Sequence, residues 1–391
     1  MIDFSDVLNK KVDALFLDEE IENKYGKTRA LFYTGEEYKG ESTEIFAYLG
    51  IPDGKAPSGG FPAVVLCHGG GGCAFYEWVE FWNKKGYVAI APDFYSQQFG
   101  STKTDGNGKA PKNPLGGPIN TGSFYDNCEN YKDGWIYHRV SDIILAHNIL
   151  LSLDSVNKEK TCITGISWGS VLTLIASGAD NRFKAFAPVY GSGYLLKTAG
   201  VKYVEKVLKV DDEKEYNSLF DPVSYLENED KPIIFTVGTD DIFFNPKFGE
   251  LSARLCGGKT LRSFRLSLPH YHRWKDEEGM ICVYDFFENV LFKKPLKFYV
   301  EEDGASHGKI YAKIFGIEKV KSARLVYTLD DKEDSRQNVW YTKEIDVNKA
   351  ESGRVAVAVP EKTDAAFIEL SDKAEKEFVL STKMYFNKEI F

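Results

Sequence analysis

Short apolar runs that alternate with helical patterns constrain this chain more than any other feature. The runs fall at residues 63–67, 87–91, 162–165, 185–189, 233–237 and 264–268. Between them, residues 75–85 end at Gly86 like a capped helix, and residues 135–151 set Ile136, Val140, Ile143, Ile144, His147 and Leu151 along one helical stripe. Strand, helix, strand in this rhythm predicts βαβ units and a mostly parallel sheet flanked by helices, with an antiparallel edge strand added by residues 43–50. After Lys294-Pro295 the rhythm stops. Alternating runs at 309–315, 323–328, 354–359 and 366–370, separated by polar turns, predict a small all-β sandwich.

The expected organisation is therefore an α/β domain at 1–294, with a lead-in over about 1–42, and a β-sandwich domain at 295–391. A chain of 391 residues exceeds the ~250–300 at which one hydrophobic core usually stops growing, which fits two domains. Segments 97–134 and 191–230 interrupt the pattern. Loops that long either shape a substrate rim or elaborate the surface.

Composition removes several function classes. No apolar run approaches the ~20 residues that span a bilayer, and a formal net charge of −9 opposes unspecific binding to nucleic acid or to an anionic membrane. The first residues, Met1-Ile2-Asp3-Phe4-Ser5-Asp6, are acidic where a secretory signal carries positive charge, so a cytoplasmic protein is expected. Cys67, Cys73, Cys128, Cys162, Cys256 and Cys282 form no CxxC pair, which predicts reduced thiols rather than disulfides or a metal site.

One motif carries chemistry. Thr161-Cys162-Ile163-Thr164 is a β-rich run, Gly165-Ile166-Ser167-Trp168-Gly169 follows, and a helix-compatible run comes next. Flanking glycines let a strand turn sharply into a helix while lifting the serine into a cleft, and the helix N-terminus favours developing negative charge. Ser167 is thus the candidate nucleophile. Its hydroxyl needs a base and a group that orients the base, in the chain order Ser, Asp or Glu, His.

Only His270, His272 and His307 follow Ser167, and His307 falls in the sandwich. His272 is preferred because it stands further from the end of the last strand, with His270 as the alternative. For the acid, the run 232–237 ends in Gly238-Thr239-Asp240-Asp241. Asp241 is preferred and Asp240 is the alternative. Oxyanion donors are expected from Gly70, with Gly71 as second choice, in His68-Gly69-Gly70-Gly71-Gly72, together with the backbone N–H of Trp168. No Gly-Lys-Ser/Thr follows that glycine run at phosphate-loop spacing, and His68 precedes the nucleophile, which makes it a loop-stabilising residue.

Taken together, these residues resemble the α/β-hydrolase superfamily and, within it, the dienelactone-hydrolase-like branch often labelled acetyl xylan esterases. The resemblance covers about residues 30–391. It runs through Tyr33 to Gly40, the His68 glycine run, Trp78 to Gly86, Asp133 to His138, Gly165 to Gly169, Gly238 to Asp241 and Pro269-His270-Tyr271-His272, and the C-terminal sandwich is similar to the extension these proteins carry. It implies a Ser-Asp-His triad with His272 as base, no metal and no organic cofactor. Dienelactone hydrolases use cysteine where this chain has Ser167, which argues against dienelactone as substrate. The expected activity is hydrolysis of a short acyl ester, an acetyl group on a carbohydrate or a small ester. The competing readings are a peptidase or amidase on the same scaffold, and a binding protein on a retired one.

Overall fold

The computed structural model describes residues 1–95, 113–119, 130–198, 213–227, 229–270, 281–330, 332, 337–374 and 377–391. The chain divides into two compact units, Met1–Pro188 with Val204–Glu229, and Val189–Tyr203 with Asp230–Phe391.

The first unit holds strands β1 (Ala14–Ile21), β2 (Gly26–Thr34), β3 (Glu44–Pro52), β4 (Phe61–Cys67), β5 (Val88–Pro92), β6 (Val156–Ile166) and β7 (Ala185–Val189), in the spatial order β1-β2-β3-β5-β4-β6-β7. β1 to β3 form an antiparallel meander, and β3 pairs antiparallel with β5. β4 then pairs parallel with both β5 and β6. All seven residues of β4 and all five of β5 are buried, as expected of strands covered on both faces.

Helices Tyr76–Lys84, Trp135–Ser152 and Trp168–Ala179 pack against this sheet. The first buries Trp78, Val79 and Trp82. It ends where Gly86, at φ 82°, donates its N–H to the Asn83 carbonyl at 2.8 Å, a left-handed turn that suits glycine.

Helix Trp135–Ser152 departs from the single stripe expected of it. His138, Arg139, Ser141, Asp142 and His147 are as buried as its aliphatic residues. Arg139 donates to the Gly116 carbonyl at 2.9 Å, and the Asp142 backbone carbonyl accepts from the Tyr33 hydroxyl at 2.9 Å. The helix is therefore covered on its polar side as well, by β2 and by segment 113–119. His147 stacks on Phe183 at 3.8 Å and bonds both Asp180 and Thr161, which makes it a satisfied core histidine.

The second unit begins with β8 (Ile233–Asp240) and β9 (Thr260–Pro269), a parallel pair, and helix Pro246–Leu255. Beyond Pro295 come β10 (Tyr299–Ser306), β11 (Lys309–Phe315), β12 (Ser322–Thr328), β13 (Trp340–Ile345), β14 (Arg354–Ala358), β15 (Ala365–Ser371), β16 (Val379–Ser381) and β17 (Tyr385–Phe386). They build two antiparallel sheets, β10-β11-β14 and β13-β12-β15-β16, with β17 on β15. The second sheet is fastened to β9. Ser263 donates to the Val379 carbonyl at 2.7 Å, the Phe264 N–H to the Ser381 hydroxyl at 3.1 Å, and the Leu266 N–H to Glu369 at 2.6 Å.

Candidate active site

Ser167 stands where β6 ends and helix Trp168–Ala179 begins, with φ 55° and ψ −120°. Few residues with a Cβ adopt positive φ, and holding one there costs about 1–3 kcal/mol. The spacing of glycines around it follows from contact. A Cβ on Gly165 would stand 2.2 Å from the Gly169 carbonyl oxygen, and a Cβ on Gly169 would stand 2.2 Å from the Cys67 carbonyl oxygen. Strand, turn and helix could not close this tightly with any other residue at either position. The Ser167 carbonyl caps the helix by accepting from Ser170 and Val171 at 2.9 and 3.2 Å.

β4 and β6 are parallel neighbours with Cys67 opposite Gly165, so the loop after β4 emerges beside the turn at Ser167. In that loop His68 is fully committed. Its Nδ1–H donates to the Gly69 carbonyl at 2.9 Å, and its Nε2 accepts the Phe94 N–H at 2.8 Å. The ring is buried and stacked on Phe94, so it braces the loop as its place in the sequence implied. Gly70 lies against the nucleophile's neighbour, since a Cβ there would meet Trp168 Cδ1 at 2.7 Å. Gly71 adopts φ 65°, the left-handed region that favours glycine. Burial pushes the Tyr95 phenol up to about 12, against the smaller opposing pull of a hydrogen bond to the Gly71 backbone, which keeps it protonated. Trp135 packs on Trp168 at 5.6 Å and donates its indole N–H to the Phe94 carbonyl at 3.0 Å.

The second unit brings a carboxylate and an imidazole together. In the β8–β9 ladder Gly238 lies opposite Arg265 and Asp240 opposite Pro269, so the residues just beyond both strands are neighbours. Gly238 permits this, because any Cβ there would fall 1.8 Å from the Leu268 carbonyl oxygen. Asp241 follows, with no exposed surface. Its Oδ1 accepts the N–H groups of Phe243 and Phe244, both at 2.8 Å, and its Oδ2 lies 2.8 Å from His270 Nδ1. An ionised carboxylate holds the proton on Nδ1 and leaves Nε2 with its lone pair. Tyr190, Phe243 and Phe244 surround the imidazole at centroid distances of 5.5, 4.9 and 6.0 Å. Asp240 is exposed and accepts from the Thr239 hydroxyl at 3.2 Å.

Of the residues singled out from sequence, Ser167, Trp168, Gly70 and Gly71 come together in the first unit, and Asp241 lies in the second. His272 lies outside the described residues. The histidine that contacts Asp241 is His270, the alternative in the sequence reading. Tyr190, Phe243 and Phe244, which enclose that imidazole, were not singled out, because contact across strand ends leaves no periodic signal. Cys67 and Cys282 are buried thiols, and burial raises both above the ordinary thiol range, Cys67 well above it. Among the described residues no helix is long and apolar enough to cross a membrane.

A sheet of parallel strands flanked by helices, with a serine on the strand-to-helix turn and an antiparallel β region at the C-terminus, is the fold of the α/β-hydrolases. Residues 111–247, which span Ser167 and Asp241, match the profile of the prolyl oligopeptidase family. The structure is similar to the acetyl xylan esterase of Paenibacillus sp. R4, at 20% identity and a TM-score of 0.52 over 73% of this chain and 92% of that one. It is similar to acetyl xylan esterase 1 of Thermoanaerobacterium sp. JW/SL YS485, at 15% identity and a TM-score of 0.53 over 74% and 92%. The acylaminoacyl peptidase of Pyrococcus horikoshii matches at 18% identity and a TM-score of 0.52, over 70% of this chain but only 43% of the peptidase. No curated protein sequence matches the chain.

Proposed function

We propose that this chain is a serine carboxylic ester hydrolase that removes short acyl groups, acetyl foremost, from a carbohydrate or a small ester. The observation that carries the reading is the positive φ of Ser167 at the start of a helix, between two glycines that admit no side chain. Ser167 is the nucleophile, His270 the general base and Asp241 the residue that orients it. The 2.8 Å contact of Asp241 with His270 Nδ1 supports this choice of base over His272. The backbone N–H groups of Gly70 and Trp168 are the oxyanion donors. Gly70 is taken before Gly71 because it lies against Trp168, the other donor.

In this mechanism the Ser167 proton passes to His270 as Oγ bonds to the ester carbonyl carbon, and the two N–H groups stabilise the oxyanion. The bond from carbon to the alcohol oxygen then breaks, and His270 returns its proton to that leaving oxygen. Water attacks the acyl carbon while His270 takes its proton, the bond from Oγ to the acyl group breaks, and the proton goes to Ser167. A carboxylic acid is released and the enzyme is restored.

The match to the prolyl oligopeptidase family favours one second reading, hydrolysis of an acylated amine by the same residues. Labelling by a fluorophosphonate, in the wild type and in Ser167→Ala, tests the nucleophile. Turnover of matched acetyl esters, acetylated sugars and N-acetyl amides then separates the two readings. Unlabelled wild-type protein would refute both.

A further inference from the structure

Phe243 and Ile242 occupy a position that the mechanism leaves unused. Asp241 Oδ1 binds the N–H groups of Phe243 and Phe244, which fixes the backbone of residues 241–244 as a tight turn around the carboxylate. Phe244 is buried by that turn, Asn245 caps the next helix through the Lys247 N–H at 2.9 Å, and Pro246 opens that helix. Ile242 is left 46% exposed and Phe243 40% exposed, the two residues that follow the buried Asp241 carboxylate in the chain. Phe243 meets the His270 ring in a T-shaped contact with centroids 4.9 Å apart and planes at 68°. Apolar surface held open beside a catalytic group is suited to take up an apolar part of the ligand.

The side of the ester that would use this surface follows from the reaction. In the proposed mechanism His270 gives its proton to the departing alcohol oxygen, so the alcohol must sit at the imidazole. We infer that Phe243 and Ile242 form the recognition surface for the leaving alcohol, which they select for a ring with an apolar face. An aryl ring and the C–H face of a pyranose share this chemistry. The inference rests on the esterase reading and adds to it which half of the ester decides specificity.

The test keeps the acyl group constant as acetyl and varies the alcohol through ethyl, cyclohexyl, aryl and methyl xyloside. A second series keeps an ethyl alcohol and lengthens the acyl group. Wild type should prefer ring alcohols over ethyl, and Phe243→Ala should reduce that preference in kcat/KM by about 10- to 100-fold, the usual range for one hydrophobic contact. Comparison of the aryl and xyloside arms says which ring is preferred. Phe243 touches His270, so Ile242→Ser, which leaves that contact in place, should also erode the ring preference, read as the ratio of kcat/KM for cyclohexyl acetate to that for ethyl acetate. The acyl series should be unchanged in both variants. Equal loss on every ester in both variants would make the two residues structural and overturn the inference. A change confined to the acyl series would overturn it as well, as would an unchanged preference. In each of these cases fluorophosphonate labelling at Ser167 would still uphold the esterase, whereas its absence would remove the esterase reading itself.

Discussion

Replacing Asp142 by asparagine should remove a pH-dependent weakness from the first unit. Asp142 has no exposed surface, and its carboxyl is raised from 3.8 to about 7. Burial is the main cause. Arg139, whose Nη1 lies 3.1 Å from Oδ2, opposes it, while Glu36 and Asp93 add to it. The folded protein therefore holds this proton up to about pH 7, and the unfolded chain releases it near 3.8. The native state binds the extra proton, so the stability this group contributes is full below pH 4 and is lost as pH rises through 7. The gap between 3.8 and about 7, at about 1.4 kcal/mol per pH unit, amounts to about 4 kcal/mol, of which about 3 kcal/mol falls between pH 5 and 8.

Asparagine mimics the protonated acid in size and polarity and cannot ionise. Asp142→Asn should thus be more stable than the wild type by about 1–2 kcal/mol at pH 5 and by about 4 kcal/mol at pH 8. Urea unfolding of both proteins from pH 5 to 8, followed by tryptophan fluorescence, reads the difference directly. Four of the six tryptophans, Trp78, Trp82, Trp135 and Trp168, lie in the first unit. A difference that stays flat across this range, or a wild type more stable than the variant at pH 8, would mean that the ion pair with Arg139 outweighs the cost of burying the charge.

Ser167→Ala should lower turnover by about 10⁴–10⁶, read as ester hydrolysis by purified protein, with the unfolding midpoint equal to or above that of wild type because the rest of the turn is kept. Asp241→Asn should cost about 10⁴ in kcat, since an amide cannot accept from two N–H groups and His270 together, while Asp240→Asn should stay within a few-fold of wild type. Gly169→Ala should destabilise the fold by about 3 kcal/mol in urea, because the new methyl meets the Cys67 carbonyl and neither backbone can yield. Glu369→Ala should reduce kcat and loosen the end of β9, because the Leu266 N–H loses its acceptor. Hydrogen exchange at Leu266 would read the loosening.

Much of the candidate site is written in contiguous residues. The Gly-x-Ser-x-Gly run encodes its own steric need, and Asp241 stands just beyond a run of buried type that ends in Gly238. The choice between His270 and His272 is not written in contiguous residues. It depends on where β9 stops and on its register with β8, and β9 runs on to Pro269, opposite Asp240. The next residue, His270, is therefore level with Asp241, while His272, preferred from sequence, lies outside the described residues. Helix Trp135–Ser152 was expected with one apolar stripe, and its burial extends beyond that stripe. Arg139 and Asp142 are buried by β2 and segment 113–119, partners that no local pattern announces. Strands β1 and β2 were passed over as a lead-in. Charged residues such as Glu20 and Arg29 break their apolar alternation, and the two face each other across the strand pair.

The fastening of β9 to the C-terminal sheet has a consequence for how activity is lost. The strand that carries His270 is bonded through Ser263, Phe264 and Leu266 to β15 and β16 or their side chains, so these strands should open as one cooperative segment. Mild heat or denaturant should then silence the enzyme well before global unfolding, in step with deuterium uptake by residues 365–381. A ligand that grips the tail would protect catalysis without touching substrate.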